Sequence, residues 1–145
     1  MSLAKKKPEP LRIVAMPPDQ MMAVWPHVLK YFASFVERSR GSIRAGDLLL
    51  DCINSKRQCW IASDSETVKA CALTEVQEGP MNVVLLSFCA GEDMDEWWRD
   101  MIQTIQAWAK SIGSKRVMVV HRPGWKKFLA EEGYTMTHIV SEADL

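Results

Sequence analysis

A chain of 145 residues and 16.5 kDa is long enough for one domain with a core of its own. At 48% hydrophobic and 25% charged residues, its composition is globular rather than disordered. Eighteen basic residues balance eighteen acidic ones, and zero net charge argues against a protein whose work is to cover nucleic-acid phosphates.

No stretch approaches eighteen consecutive apolar residues, so no membrane-spanning helix is expected. The opening MSLAKKKPEPL has charge but no apolar run behind it, unlike a secretory signal. Its first three residues read as an expression remnant and residues 1–10 as a flexible tail. The Lys5–Lys7 run is shorter than the blocks that usually mark nucleic-acid or membrane contact. Residues 11–145 are expected to form a single domain. The gaps between Cys52, Cys59, Cys71 and Cys89 fit no zinc site and no redox pair. Four buried thiols in a reducing cytoplasm, with no metal, is the expectation.

Leu11–Met16 is a first strand, ended by Pro17 and Pro18. Asp19 suits a helix N-cap. Met21, Val24, Trp25, Val28, Leu29, Phe32, Phe35 and Val36 then recur at helical spacing to about Arg38. Pro26 lies inside that helix and is expected to kink or split it. After Gly41, a second helix over about Arg44–Lys56 carries Leu48, Leu49, Cys52 and Ile53. Strands are predicted at Gln58–Ser63, Thr67–Gln77 and Met81–Cys89, joined by turns at Asp64–Glu66 and Glu78–Pro80. The unalternated Val83–Leu86 run points to a central strand buried on both faces.

A long helix is predicted to start between Gly91 and Asp95, capped by Asp93 or Asp95. Its stripe is Trp98, Met101, Ile102, Ile105, Trp108, Ala109 and Ile112, and Gly113 stops it. Lys115–His121 is a strand in right-handed parallel crossover with Met81–Cys89. A last helix runs from Pro123 to Gly133, and Thr135–Ser141 is a final strand. The predicted class is α/β (α+β): a mixed sheet of about six strands with about four helices, in the order β-αα-βββ-α-β-α-β.

This order resembles the GNAT (GCN5-related N-acetyltransferase) fold over about residues 11–141. "AWAKSIGSKRVMVV" is similar to that family's long helix and following strand, and "GWKKFLAEEGY" to its late helix ending in Gly-aromatic, here Gly133-Tyr134. "VMVVHRPGWKKFLAEEGY" resembles in particular a group of phage and prophage proteins with this fold and ill-defined function.

The resemblance implies acetyl-CoA as cofactor, its pyrophosphate held on backbone N–H groups where the central strand meets the long helix. The family's usual sequence there is Gln/Arg-x-x-Gly-x-Gly/Ala. By position, Ser87, Phe88, Cys89, Ala90 and Gly91 would bind the cofactor. Only one glycine is present, no basic residue is, and Glu92, Asp93, Asp95 and Glu96 follow. Each hydrogen bond to a charged group contributes about 1.5–3 kcal/mol. Losing two removes much of the roughly 8 kcal/mol of a micromolar ligand. At the position of the family's general-acid tyrosine stands Leu129, which donates no proton.

His121, at the end of a buried strand, is the catalytic candidate, able to act as acid or base. Glu75 is a second candidate, as base. Arg122 is a candidate anion contact, alternatively a loop cation stacked on Trp125. Trp97 should lie about 100° around the helix from Trp98 and be partly exposed, either as an interaction contact or as cover for the edge of the sheet; Trp97, Trp125 and Arg122 are the candidate substrate or partner contacts.

Three functions remain. The first is a non-catalytic phage or prophage protein with a degenerate acyl-CoA site, acting through a phage or host protein, a second copy of itself or an unidentified ligand, in the host cytoplasm or with the virion. The second is an active acyl-CoA-dependent N-acetyltransferase with a divergent cofactor loop. The third, a nucleic-acid binder, rests on the lysine tail alone. An enzyme should show an open cleft between the Met81–Cys89 and Lys115–His121 strands, and an interaction protein a plugged one.

Overall fold

The structure is a computed structural model and describes residues 9–145. The lysine run, Lys5–Lys7, lies outside the described residues. Five strands form one sheet in chain order: β1 (Arg12–Ala15), β2 (Gln58–Ser63), β3 (Val68–Gln77), β4 (Val83–Gly91) and β5 (Arg116–Val119). The first four pair antiparallel, while β4 and β5 run parallel. The helices are α1 (Met21–Arg38), α2 (Ala45–Ile53), α3 (Trp98–Ser111) and α4 (Lys126–Glu131).

Alternation along the strands builds two cores. On one face Trp60, Ala62, Ala70, Ala72, Val84 and Leu86 meet the α3 stripe and Leu129 of α4. On the other, Cys59, Ile61, Cys71, Leu73 and Phe88 meet α1 and α2 through Val28, Tyr31, Phe32, Leu48 and Cys52. Burying a large apolar side chain contributes about 1.5–3 kcal/mol, so both layers are needed to hold the sheet. The β2–β3 turn forms because the Asp64 carboxylate accepts the backbone N–H groups of Glu66 and Thr67, at 2.8 and 2.7 Å. Those bonds hold its carboxyl below the usual range.

Several sequence expectations need correction. Among the described residues there are five strands rather than about six. Thr135–Ser141 has no strand pairing. Its apolar residues Met136, Ile139 and Val140 break the period-two pattern, and all three are exposed. Pro26 does not split α1, which runs unbroken through it. Packing of Trp25 on Phe32, and of Phe32 and Phe35 on Phe88, fixes the helix on both sides of the proline. Strand β4 is interior but alternates buried and half-buried residues. The long helix begins only at Trp98. A left-handed residue, Asp93, and a 3-10 turn at Met94–Glu96 come first, and neither Asp93 nor Asp95 caps it. Gly113 and Gly133, both at positive φ, do end α3 and α4.

Candidate functional site

The site begins with an irregularity in β4. Thr74 pairs with Leu86 but Leu73 pairs with Phe88, so Ser87 is an extra residue, a β-bulge. One inserted residue reverses which face each later side chain takes. Val84 and Leu86 therefore face α3, whereas Phe88, two residues further on, faces α1. Arg57, just beyond α2, fixes the bulge: it pairs with Asp51 at 3.1 Å and donates to Ser87 Oγ at 3.0 Å.

The same bend parts β4 from β5. Their ladder ends at Leu86–Val119, with one further bond from Val120 N–H to the Leu86 carbonyl at 3.0 Å. Beyond it lies an open cleft of about 350 Å³. Leu86, Phe88, Ile102, Val119, Trp125 and Leu129 give it apolar walls. Its polar groups are Arg38, Ser39 and Ser42 from the end of α1 and the loop after it, Ser87 from the bulge, His121 and Arg122 from beyond β5, and Glu142. Neither Arg38 nor Arg122 makes an ion pair among the described residues.

The sequence candidates separate accordingly. His121, Arg122, Trp125, Ser87, Phe88 and Cys89 line the cleft. His121 Nδ1 lies 2.8 Å from the Arg122 carbonyl oxygen. A carbonyl only accepts, so Nδ1 donates in this contact, and Nε2 is the ring nitrogen left outside it. Arg122 does not stack on Trp125, which packs on Trp97 and Phe128 instead. Glu75 stands on β3 opposite Leu85, outside the cleft lining.

Ala90 and Gly91 are not at the cleft either. They continue the β3 ladder opposite Cys71 and Ala70. A Cβ at Gly91 would come within 2.4 Å of Ala70 Cβ and 2.5 Å of Lys69 O. The glycine is thus required by a neighbouring strand, and no room for a phosphate is implied by it. Trp97 is not partly exposed: it is 1% exposed, and its indole N–H donates to the Glu92 carbonyl at 2.7 Å. It lies in the turn, at φ −137°, before the helical spacing from Trp98 starts. Its burial removes it as a partner contact.

The turn between β4 and α3, where the resemblance implies an acyl-CoA diphosphate, is acidic and closed by a buried indole. Trp97 fills the turn, and Glu92, Asp93, Asp95 and Glu96 surround the α3 N-terminus. Lys30 neutralises Glu92 at 3.2 Å and Lys69 neutralises Asp93 at 3.4 Å, so the two nearby lysines are already engaged. Leu129 is 2% exposed within the core and performs no acid chemistry.

No family model and no curated protein matches the chain in sequence. Solved structures match it in shape. An acetyltransferase from Trypanosoma brucei is 9% identical over 93% of this chain and 99% of its own, with a TM-score of 0.71. The chain has the fold of the GNAT acetyltransferases. An aminoglycoside acetyltransferase from an uncultured soil metagenomic sample, in complex with sisomicin, matches 92% of this chain and 97% of its own (11% identity, TM-score 0.67). A ribosomal-protein-alanine N-acetyltransferase from Brucella melitensis biovar Abortus 2308 matches 92% and 99% (8% identity, TM-score 0.66). At such identities the likeness is one of fold.

The sequence reading missed the α1–α2 loop, Arg57, Glu142 and the bulge. A polar Ser87 inside the apolar VVLLSFCAG run was the available signal for the bulge. Arg57 gave none, because thirty residues separate it from Ser87. Among the described residues no metal-ligand cluster occurs, and no helix is long and apolar enough to cross a membrane.

Proposed function

We propose that the chain is an acyltransferase on the GNAT scaffold that takes its acyl group from a thioester held in the β4–β5 cleft, without a diphosphate clasp. One observation carries this reading: the cleft is open where the two strands part, with apolar walls for an acyl-pantetheine arm and His121 at its rim. An amine acceptor attacks the thioester carbonyl, forming the amide bond and releasing the thiol. His121 Nε2 accepts the amine's proton as general base and returns it to the leaving sulfur, which departs as the thiol. Arg122, beside it, is placed for an anionic group of either substrate.

The test compares acetyl-CoA with acetyl-pantetheine, which ends before the diphosphate, by calorimetry. A clasp of two hydrogen bonds to charge would favour acetyl-CoA by about 3–6 kcal/mol, roughly a hundredfold to ten-thousandfold. Without one, the two ligands should bind within about tenfold of each other, and His121→Asn should slow acetyl transfer while leaving thioester binding unchanged. An acetyl-CoA preference above about a hundredfold would establish a clasp and overturn the reading.

A second reading is supported by the acidic turn and the buried Trp97. It is a non-catalytic protein of phage or prophage type that keeps the scaffold for contacts with a phage or host protein. Failure of both thioesters to bind at millimolar concentration selects this reading over the first.

A further inference from the structure

The C-terminal segment ends at the cleft without belonging to the fold. Tyr134 is the last residue anchored in the core: it packs there, and its hydroxyl accepts from Gln106 at 2.8 Å. Residues 135–145 form no helix or strand, and all of them are exposed. The chain nevertheless comes back to the opposite layer. Glu142 lines the cleft among Arg38, Ser39, Ser42, His121 and Arg122, and Asp144 forms an ion pair with Arg40 across 104 residues of sequence.

Arg40 sits just past α1 at φ +55°. A non-glycine residue in the left-handed region is strained, and glycine is the usual occupant of such a helix end. The side chain there is the one that reaches the segment. Arg38 and Arg122 line the cleft, and Arg40 stands two residues beyond Arg38, in a protein of zero net charge. The matching groups on the segment are two carboxylates in the run Ser141-Glu142-Ala143-Asp144.

We propose that the mouth of the cleft is a binding site for an acidic peptide segment, and that residues 141–144 are its intramolecular occupant. The hold is weak by construction. Both partners of the Arg40–Asp144 pair are more than half exposed, at 60% and 74%, and exposed ion pairs contribute little and are screened by salt. Tethering raises the local concentration of the segment to roughly millimolar. At that concentration the segment half-fills the mouth when its untethered affinity is about millimolar, and an acidic segment with further contacts displaces it. The inference goes beyond the thioester reading, because peptide binding is measured with no thioester present and fails independently of it.

The test uses full-length protein and a synthetic heptapeptide copying residues 139–145, titrated by NMR at low salt. In Glu142→Gln/Asp144→Asn the strap loses its charge, and the peptide should bind about twofold more tightly than to the unaltered chain. Added salt should weaken that binding. Introducing Arg40→Gly into the neutralised protein should weaken it about twofold to fivefold without lowering the melting temperature, since glycine accepts the left-handed backbone. Equal affinity in the unaltered and neutralised proteins overturns the proposal. So does equal binding of a peptide carrying Gln and Asn in place of the acids, an unchanged affinity in Arg40→Gly, or no binding to the neutralised protein at millimolar peptide.

Discussion

Gly91→Ala separates two explanations of the single glycine in the strand-to-helix turn. If the glycine serves close approach of a phosphate, alanine should weaken acyl-CoA binding and leave stability nearly intact. The structure assigns it to packing. An added Cβ meets Ala70 Cβ at 2.4 Å, Lys69 O at 2.5 Å and Ala70 Cα at 2.7 Å. Two of the three are backbone-defined positions inside the β3 ladder and cannot swing away as a long side chain would. The end of β4 must move by roughly 1 Å, since carbon contacts settle near 3.5–4.0 Å. Overpacking of this kind costs about 1–3 kcal/mol. The same movement strains the Glu92 N–H bond to Lys69 O, now 2.8 Å, worth about 0.5–1.5 kcal/mol. The sum is about 2–4 kcal/mol, or roughly 5–15 °C in Tm for a chain of this size. Urea and thermal melts, with the urea m-value checked for constancy, measure it. A variant as stable as the unaltered protein that has lost thioester binding would refute the packing argument.

Two further outcomes follow from the fold. Pro26→Ala restores the N–H that α1 lacks at an exposed position and should raise stability by about 1–3 kcal/mol in a urea melt, whereas a loss would mean that the proline sets the helix path. Burial pushes the Cys52 thiol up to about 11 and the Cys59 thiol up to about 12. The unfolded chain ionises these thiols near their ordinary value of about 8.5, so their contribution is complete below that pH and is lost as pH rises through the folded values. Burial raises the phenols of Tyr31 and Tyr134 too, with the same sign. The urea midpoint should therefore fall between about pH 8 and about pH 10, and a rise over that interval would contradict the burial argument.

What the sequence determined by itself was the layering. Helical spacing in Met21–Arg38 and Trp98–Ser111, the short apolar run in Gln58–Ser63 and glycines at 113 and 133 are local signals, and each depends on neighbours a few residues away. His121 and Arg122 were legible as a strand-end pair for the same reason. Tertiary structure alone decided the site. Ser87 as a bulge depends on which residue of β3 it opposes, and its fixing by Arg57 depends on where α2 ends. Trp97 looked exposed on helical spacing and is buried because the helix starts only at Trp98, behind a turn that the Trp97 indole closes. The Arg40–Asp144 contact joins positions 104 residues apart. Such pairings leave no periodic trace in the chain, because what brings them together is the packing of two helical layers on one sheet rather than the conformational preference of any residue involved.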